Sequence, residues 1–136
     1  MSNPPPFLAS SLYVALGGGI VAWLRYLTGR VWTQAIGPVA ASAFPWATLS
    51  VNLIGSFAMG LLAGWLARFG THGEGWRLLL GVGVLGGFTT FSAFSLELAG
   101  MAQRGALGMA AGYALVSLVG GVAGLFAGLA MMRVAA

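Results

Sequence analysis

The chain contains no cysteine, no lysine and no aspartate, and its acids amount to two glutamates. Without cysteine there is no disulfide framework and no thiolate metal site. The one histidine, His72, sits in a glycine-rich stretch beside Glu74 and reads as a solvated loop residue. There is no carboxylate pair, no His/Cys cluster and no Ser-His-Asp set, so enzyme readings fail early. Gly17-Gly18-Gly19 lacks the strand–helix context of a phosphate-binding loop and reads as close helix packing. Charged residues make up 6% of the chain, against about 25% in a typical soluble domain. The net charge of +4 comes from arginine alone. Those arginines are scattered, whereas nucleic-acid binding needs a clustered basic face. The start, Met1-Ser2-Asn3-Pro4-Pro5-Pro6, lacks the positive n-region of a signal peptide, so the first apolar segment is expected to be retained.

Apolar residues fill the space left by charge. They are 59% of the 136 residues, with a mean hydropathy of +0.93. A membrane-crossing helix needs about 20 mostly apolar residues. The pattern predicts an all-α integral membrane protein, a single domain over 1–136 with four spans, about 8–27, 46–66, 78–98 and 107–132. Trp32, Trp46, Trp65, Trp76 and Tyr26 fall near the expected ends, where amphipathic rings settle at the membrane interface. The loop 33–45 joins the first two spans, a polar hairpin 68–77 the next two, and Gln103-Arg104-Gly105 the last two.

Small residues let membrane helices pack closely. Gly108, Gly112, Gly120, Gly124 and Gly128 form one i, i+4 stripe on the fourth span, and Gly60 and Gly64 repeat the theme on the second. The arginines divide evenly. With four spans, Arg68, Arg77 and Arg133 lie on one side and Arg25, Arg30 and Arg104 on the other. The positive-inside rule then has nothing to act on. Insertion in both orientations, with inverted copies pairing as an antiparallel dimer, is the expectation.

Polar groups inside the membrane are expensive and point to function. Asn52 lies about 9 Å into the second span at 1.5 Å per residue, and its amide can donate to an anion or bridge to another helix. Thr48, Ser50 and Ser56 carry less weight, because hydroxyls bond back to their own helix. Tyr113 and Ser117, four apart, share a face and align two donors along the fourth span. The run Gly86-Gly87-Phe88-Thr89-Thr90-Phe91-Ser92-Ala93-Phe94-Ser95 holds paired glycines, four hydroxyls and three rings with no charge. Two glycines followed by two β-branched threonines lower helix propensity, so the third helix is expected to break near its middle. Broken backbone at membrane depth is tolerated where protein or a cavity meets its carbonyls, and bare carbonyls attract a cation. Phe91 and Phe94, three apart, face one way, and the hydroxyls of Thr90 and Ser92 flank Phe91. An aromatic ring has a positive edge. Ring edges and neutral donors, with no carboxylate lining the path, suit a small, poorly polarisable anion.

At these residues the chain resembles the CrcB/Fluc fluoride channel family. Gly17-Gly18-Gly19-Ile20-Val21-Ala22-Trp23-Leu24-Arg25-Tyr26 is similar to the family's glycine-rich entry. Thr48-Leu49-Ser50-Val51-Asn52-Leu53-Ile54-Gly55-Ser56-Phe57 is similar to its Thr-Leu-x-Val-Asn-x-x-Gly-Ser-Phe motif, and the run from Gly86 to Ser95, followed by Glu97, is similar to its third. The likeness covers about residues 11–132. It implies a four-helix subunit in a dual-topology antiparallel homodimer, in the cell (inner) membrane, with two pores and passive export of fluoride. By position, Asn52 would be the pore asparagine, Phe91 and Phe94 the paired phenylalanines, Tyr113 and Ser117 the polar track, and Arg25 the arginine near the aqueous end. The backbone carbonyls of Gly86 and Thr89 would hold a structural sodium ion on the dimer axis.

The chain departs from the family pattern at Ala93, where a threonine is usual, and at Gly121, where a hydroxyl is expected. Both bear on the length of the polar track. The rival reading is a small dual-topology, proton-coupled multidrug exporter. That chemistry needs a membrane-embedded carboxylate, typically in the first span, and no acid occurs before Glu74. A non-transporting membrane assembly protein would account for the glycines but leave Asn52, Phe91 and Phe94 unexplained.

Overall fold

The computed structural model describes residues 6–69, 75, 77–86 and 91–134, and the elements among them are helical. In chain order they are α1 (Phe7–Ile36), α2 (Pro38–Ala43), α3 (Trp46–Phe69), the π-helical α4 (Arg77–Leu85), α5 (Phe91–Gln103) and α6 (Leu107–Val134). Among the described residues three helices are long and apolar enough to cross a membrane: Phe7–Ile36, Trp46–Arg68 and Leu107–Val134. The expected third span, 78–98, falls on α4 and α5, neither of which is long enough alone. Residues 87–90, with Thr89 and Thr90, lie outside the described residues, as do Thr71, His72, Glu74 and Trp76 of the hairpin.

α1 outruns its expected end. It continues past Leu27 to Ile36, 30 residues in all, about 45 Å of helix at 1.5 Å per residue. No glycine or proline interrupts the chain between Arg30 and Ile36. Gly37 then ends the helix at φ 83°, a left-handed backbone that glycine adopts without a Cβ clash. The stretch expected as loop is therefore the last turn of α1 followed by the short α2. Pro45 stops α2 in turn: the residue before a proline is pushed out of helical backbone, and Phe44 is extended at φ −140°, ψ 141°.

α3 and α6 form the most extensive helix pair, with α1 against α4 next. Glycine makes the first contact possible. A Cβ on Gly128 would collide with the Phe57 carbonyl oxygen and lie 2.7 Å from the Leu61 nitrogen, and one on Gly124 would meet the Leu53 oxygen at 3.5 Å. Gly120 faces Leu53, Gly60 faces Leu125 and Gly64 faces Met132. Numbers rise together across these pairs, so α3 and α6 run parallel. The expected stripe divides. Gly120, Gly124 and Gly128 seat α3, whereas a Cβ at Gly108 or Gly112 would meet nothing within 4 Å. In the second contact, a Cβ on Gly17 would sit 2.6 Å from the Leu79 oxygen, and one on Gly83 would lie 3.1 Å from the Gly17 Cα. The outer face of α6 stays apolar, with Leu115, Leu118, Val122 and Phe126 exposed, as lipid or a partner helix requires.

Candidate ion pathway

Hydroxyls in an apolar helix have two fates, and the structure separates them. Ser11, Thr28, Thr33, Ser50 and Ser95 each donate to the carbonyl four residues back, at 2.7–2.9 Å. Those protons satisfy their own helix. Ser50 also accepts from Trp32 Nε1 at 3.1 Å. Thr48 does otherwise. It is buried and donates across the bundle to Glu97 Oε1 at 2.5 Å. The Tyr113 hydroxyl donates to the other oxygen, Glu97 Oε2, at 2.7 Å. Hydrogen bonds of this kind onto a carboxylate are shorter and roughly twice as strong as neutral ones. The clamp ties α3, α5 and α6 together at one level.

One helical turn further along, Asn52 follows Thr48 and Ser117 follows Tyr113. The parallel run of α3 and α6 brings both to the next level. The Asn52 Oδ1 and Ser117 Oγ atoms are buried and find no hydrogen-bond partner among the described residues. Leaving such a group unsatisfied costs about 1–3 kcal/mol, and native structures carry few of them. Among the described residues the chain supplies a partner to neither atom. Gly121 lies close by, since a Cβ there would meet the Ser56 hydroxyl at 3.3 Å. A larger side chain would press on Ser56.

The rings form a continuous line. Phe91 and Phe94 lie 6.0 Å apart, Phe94 and Tyr113 5.1 Å, and Tyr113 and Phe44 5.5 Å. Tyr113 is 1% exposed and Phe91 is 81% exposed, so the line runs from the interior to the outside of the subunit. Ser92 is exposed beside Phe91. On α1, the half-buried Arg25 has its Nη1 atom buried without a partner among the described residues. Gly86 is helical and exposed.

The structure thus brings Phe94 and Tyr113 into ring contact, places Asn52 and Ser117 one turn from the clamp, and joins Phe91 to the line through Phe94. No described contact links Arg25 or Gly86 to this group. One expectation changes: a carboxylate does stand beside the candidate path. Glu97 follows Phe94 by three positions, a spacing that makes the two neighbours on one helical face. That spacing was readable, but nothing in the sequence paired Glu97 with Thr48. A cavity of about 380 Å³ adjoins Glu97, lined also by Phe44 and Met101 and edged by Arg104.

A family profile described as CrcB-like protein, Camphor Resistance (CrcB), matches residues 12–129. The chain belongs to the CrcB family. Three relatives of this CrcB chain carry the name fluoride-specific ion channel FluC. The protein from Novosphingobium aromaticivorans is 59% identical over 126 residues, 93% of this chain and 98% of its own. That from Rhodospirillum centenum is 52% identical over 124 residues, 91% and 95% of the two chains. That from Erythrobacter litoralis is 50% identical over 135 residues, 98% of each. The motifs around Asn52, Phe91 and Phe94 all fall within the matched region.

Proposed function

We propose that this CrcB protein is a fluoride-selective channel that lets fluoride leave the cell passively. The observation that carries the reading is that the Asn52 Oδ1 and Ser117 Oγ atoms are buried without a hydrogen-bond partner among the described residues, each one helical turn past a member of the Thr48–Glu97–Tyr113 clamp. A small, poorly polarisable anion must exchange its water for fixed donors along a pore. The Ser117 hydroxyl, the Asn52 amide and the positive edges of Phe91 and Phe94 are neutral donors of that kind. The names of relatives that span nine-tenths or more of this chain support fluoride as the ion, and they do not favour the exporter reading.

The same reading takes α4 and α5 as one broken span, the third of four, and the working unit as an antiparallel dual-topology homodimer in the inner membrane. Phe91, with its ring 81% exposed, would meet the partner or the pore. A structural sodium ion would sit on the carbonyls of Gly86 and Thr89. Gly86 is helical and exposed, and its part in the site rests on the resemblance. Thr89 and Thr90 lie outside the described residues and stand on the resemblance alone. Arg25 would attract the anion at the aqueous end. In this scheme Thr48 and Tyr113 hold the Glu97 carboxylate aside by hydrogen bonding both its oxygens. The test is efflux from fluoride-loaded liposomes, read with a fluoride electrode beside a chloride control. Fluoride efflux with chloride retained supports the reading, and no rate above empty vesicles overturns it.

A further inference from the structure

Among the described residues Tyr113 has two ring neighbours, and the function proposed above draws on only one of them. The other is Phe44, which lies in the link between α2 and α3. Its ring meets Tyr113 nearly edge-on, with centroids 5.5 Å apart and planes at 78°, the T-shaped arrangement that aromatic pairs favour. Phe94 packs on Tyr113 at 5.1 Å. The tyrosine ring is thus held by two phenylalanines while its hydroxyl donates to Glu97.

Phe44 is itself held firmly. Pro45 restricts it to extended backbone, and it has φ −140° and ψ 141°. Trp46 N donates to the Phe44 carbonyl at 2.9 Å, and the Trp46 ring packs on Phe44 at 4.6 Å. Trp32 stacks on Trp46 at 5.4 Å and donates to Ser50. The loop side of the cluster is therefore a buttress of three rings anchored on α1 and α3. Phe44 also lines the cavity next to Glu97. A hydroxyl hydrogen bond is sensitive to aim, and interactions weaken steeply as the angle closes.

We infer that Phe44 is a positioning residue for the ion pathway: its ring, fixed by Pro45 and Trp46, sets the tilt of Tyr113 and so the aim of the Tyr113 hydroxyl at Glu97. The inference rests on the channel reading for its effect on transport, but its structural half stands apart from it. If the Tyr113 hydroxyl loses its aim, Glu97 keeps only Thr48 and is free to swing toward the path.

Phe44→Ala, Phe44→Leu and Phe44→Tyr are compared with Tyr113→Phe in full-length protein reconstituted in liposomes. Phe44→Ala is expected to slow fluoride efflux by about tenfold, the scale of one well-aimed hydrogen bond. Phe44→Tyr, which keeps the ring, should restore the rate. In the Tyr113→Phe background Phe44→Ala should add little, because a residue that acts through a partner is non-additive with it. Fully additive losses would overturn the inference. Should Phe44→Ala fail to yield folded protein, Phe44→Leu keeps the bulk without the ring and must itself slow efflux; a wild-type rate there overturns the idea. The second readout needs no transport. The infrared carboxylate band of Glu97, assigned by its loss in Glu97→Gln, should shift in Phe44→Leu in the direction seen in Tyr113→Phe. An unshifted band refutes the positioning role, whereas absent wild-type efflux refutes the channel reading, so the two failures are distinguishable.

Discussion

Ser117→Ala separates a packing role from an ion-handling role more cleanly than any other substitution in the cluster. Most buried hydroxyls bond to protein, and their removal strands a partner. The Ser117 Oγ atom is buried and makes no well-formed hydrogen bond among the described residues, so its removal strands little. The unsatisfied group itself weighs against the fold by about 1–3 kcal/mol. Deleting it relieves that penalty and leaves a void of one oxygen atom, much smaller than the methylene-scale cavities that destabilise cores. Stability should therefore hold or rise, by at most about 3 kcal/mol. Conduction should move the other way. A donor that meets the ion is worth about 1–1.5 kcal/mol net, which is roughly a tenfold change in rate. The assays are thermal unfolding in detergent and fluoride-electrode efflux from liposomes, run on one preparation. A lowered unfolding temperature would show that Ser117 is structural. An unchanged efflux rate would show that the ion does not use it, and either result refutes the reasoning.

Three further outcomes follow from the same geometry. Phe94→Ile should slow efflux strongly while size-exclusion chromatography still shows an intact oligomer, and an unchanged rate would remove the ring-edge role. Gly128→Ala should destabilise the fold by about 1–3 kcal/mol, the usual range for overpacking, because its Cβ would collide with the Phe57 oxygen. Gly29→Ala, with nothing within 4 Å in its own subunit, should leave the unfolding temperature level or higher, and equal losses at both sites would contradict the α3–α6 packing. For the proposed sodium site and dimer, replacing sodium with a large organic cation should weaken the oligomer or its activity, and a preparation indifferent to the exchange would show that the proposed Gly86–Thr89 site is misassigned.

The membrane class was legible because 59% apolar and 6% charged residues leave no way to build a wetted surface. The family was legible because Asn52 and the run around Phe91 and Phe94 carry spaced, unusual chemistry. Helix ends were less so. Thr33 to Ile36 looked like loop because polar residues and Trp32 mark an interface, yet helices continue past an interface until a breaker such as Gly37 stops them. The glycine stripe on α6 could be seen as a stripe, but not that Gly120, Gly124 and Gly128 would seat α3 while Gly108 and Gly112 would stay open. Which hydroxyl bonds to its own helix and which reaches across also depends on neighbours 49 positions away, as with Thr48 and Glu97. No local pattern encodes that distance. For the same reason the proposed role of Phe44 was invisible: it is a loop residue until Tyr113 packs on it.

The proposed channel conducts fluoride and rejects chloride through the Asn52–Ser117 level. Its most direct test is electrode-monitored efflux from liposomes that hold purified protein with both anions inside. The account predicts rapid fluoride release with chloride retained, and a large loss of that release in Asn52→Leu. Release of both anions alike, or fluoride release that Asn52→Leu leaves intact, would contradict it.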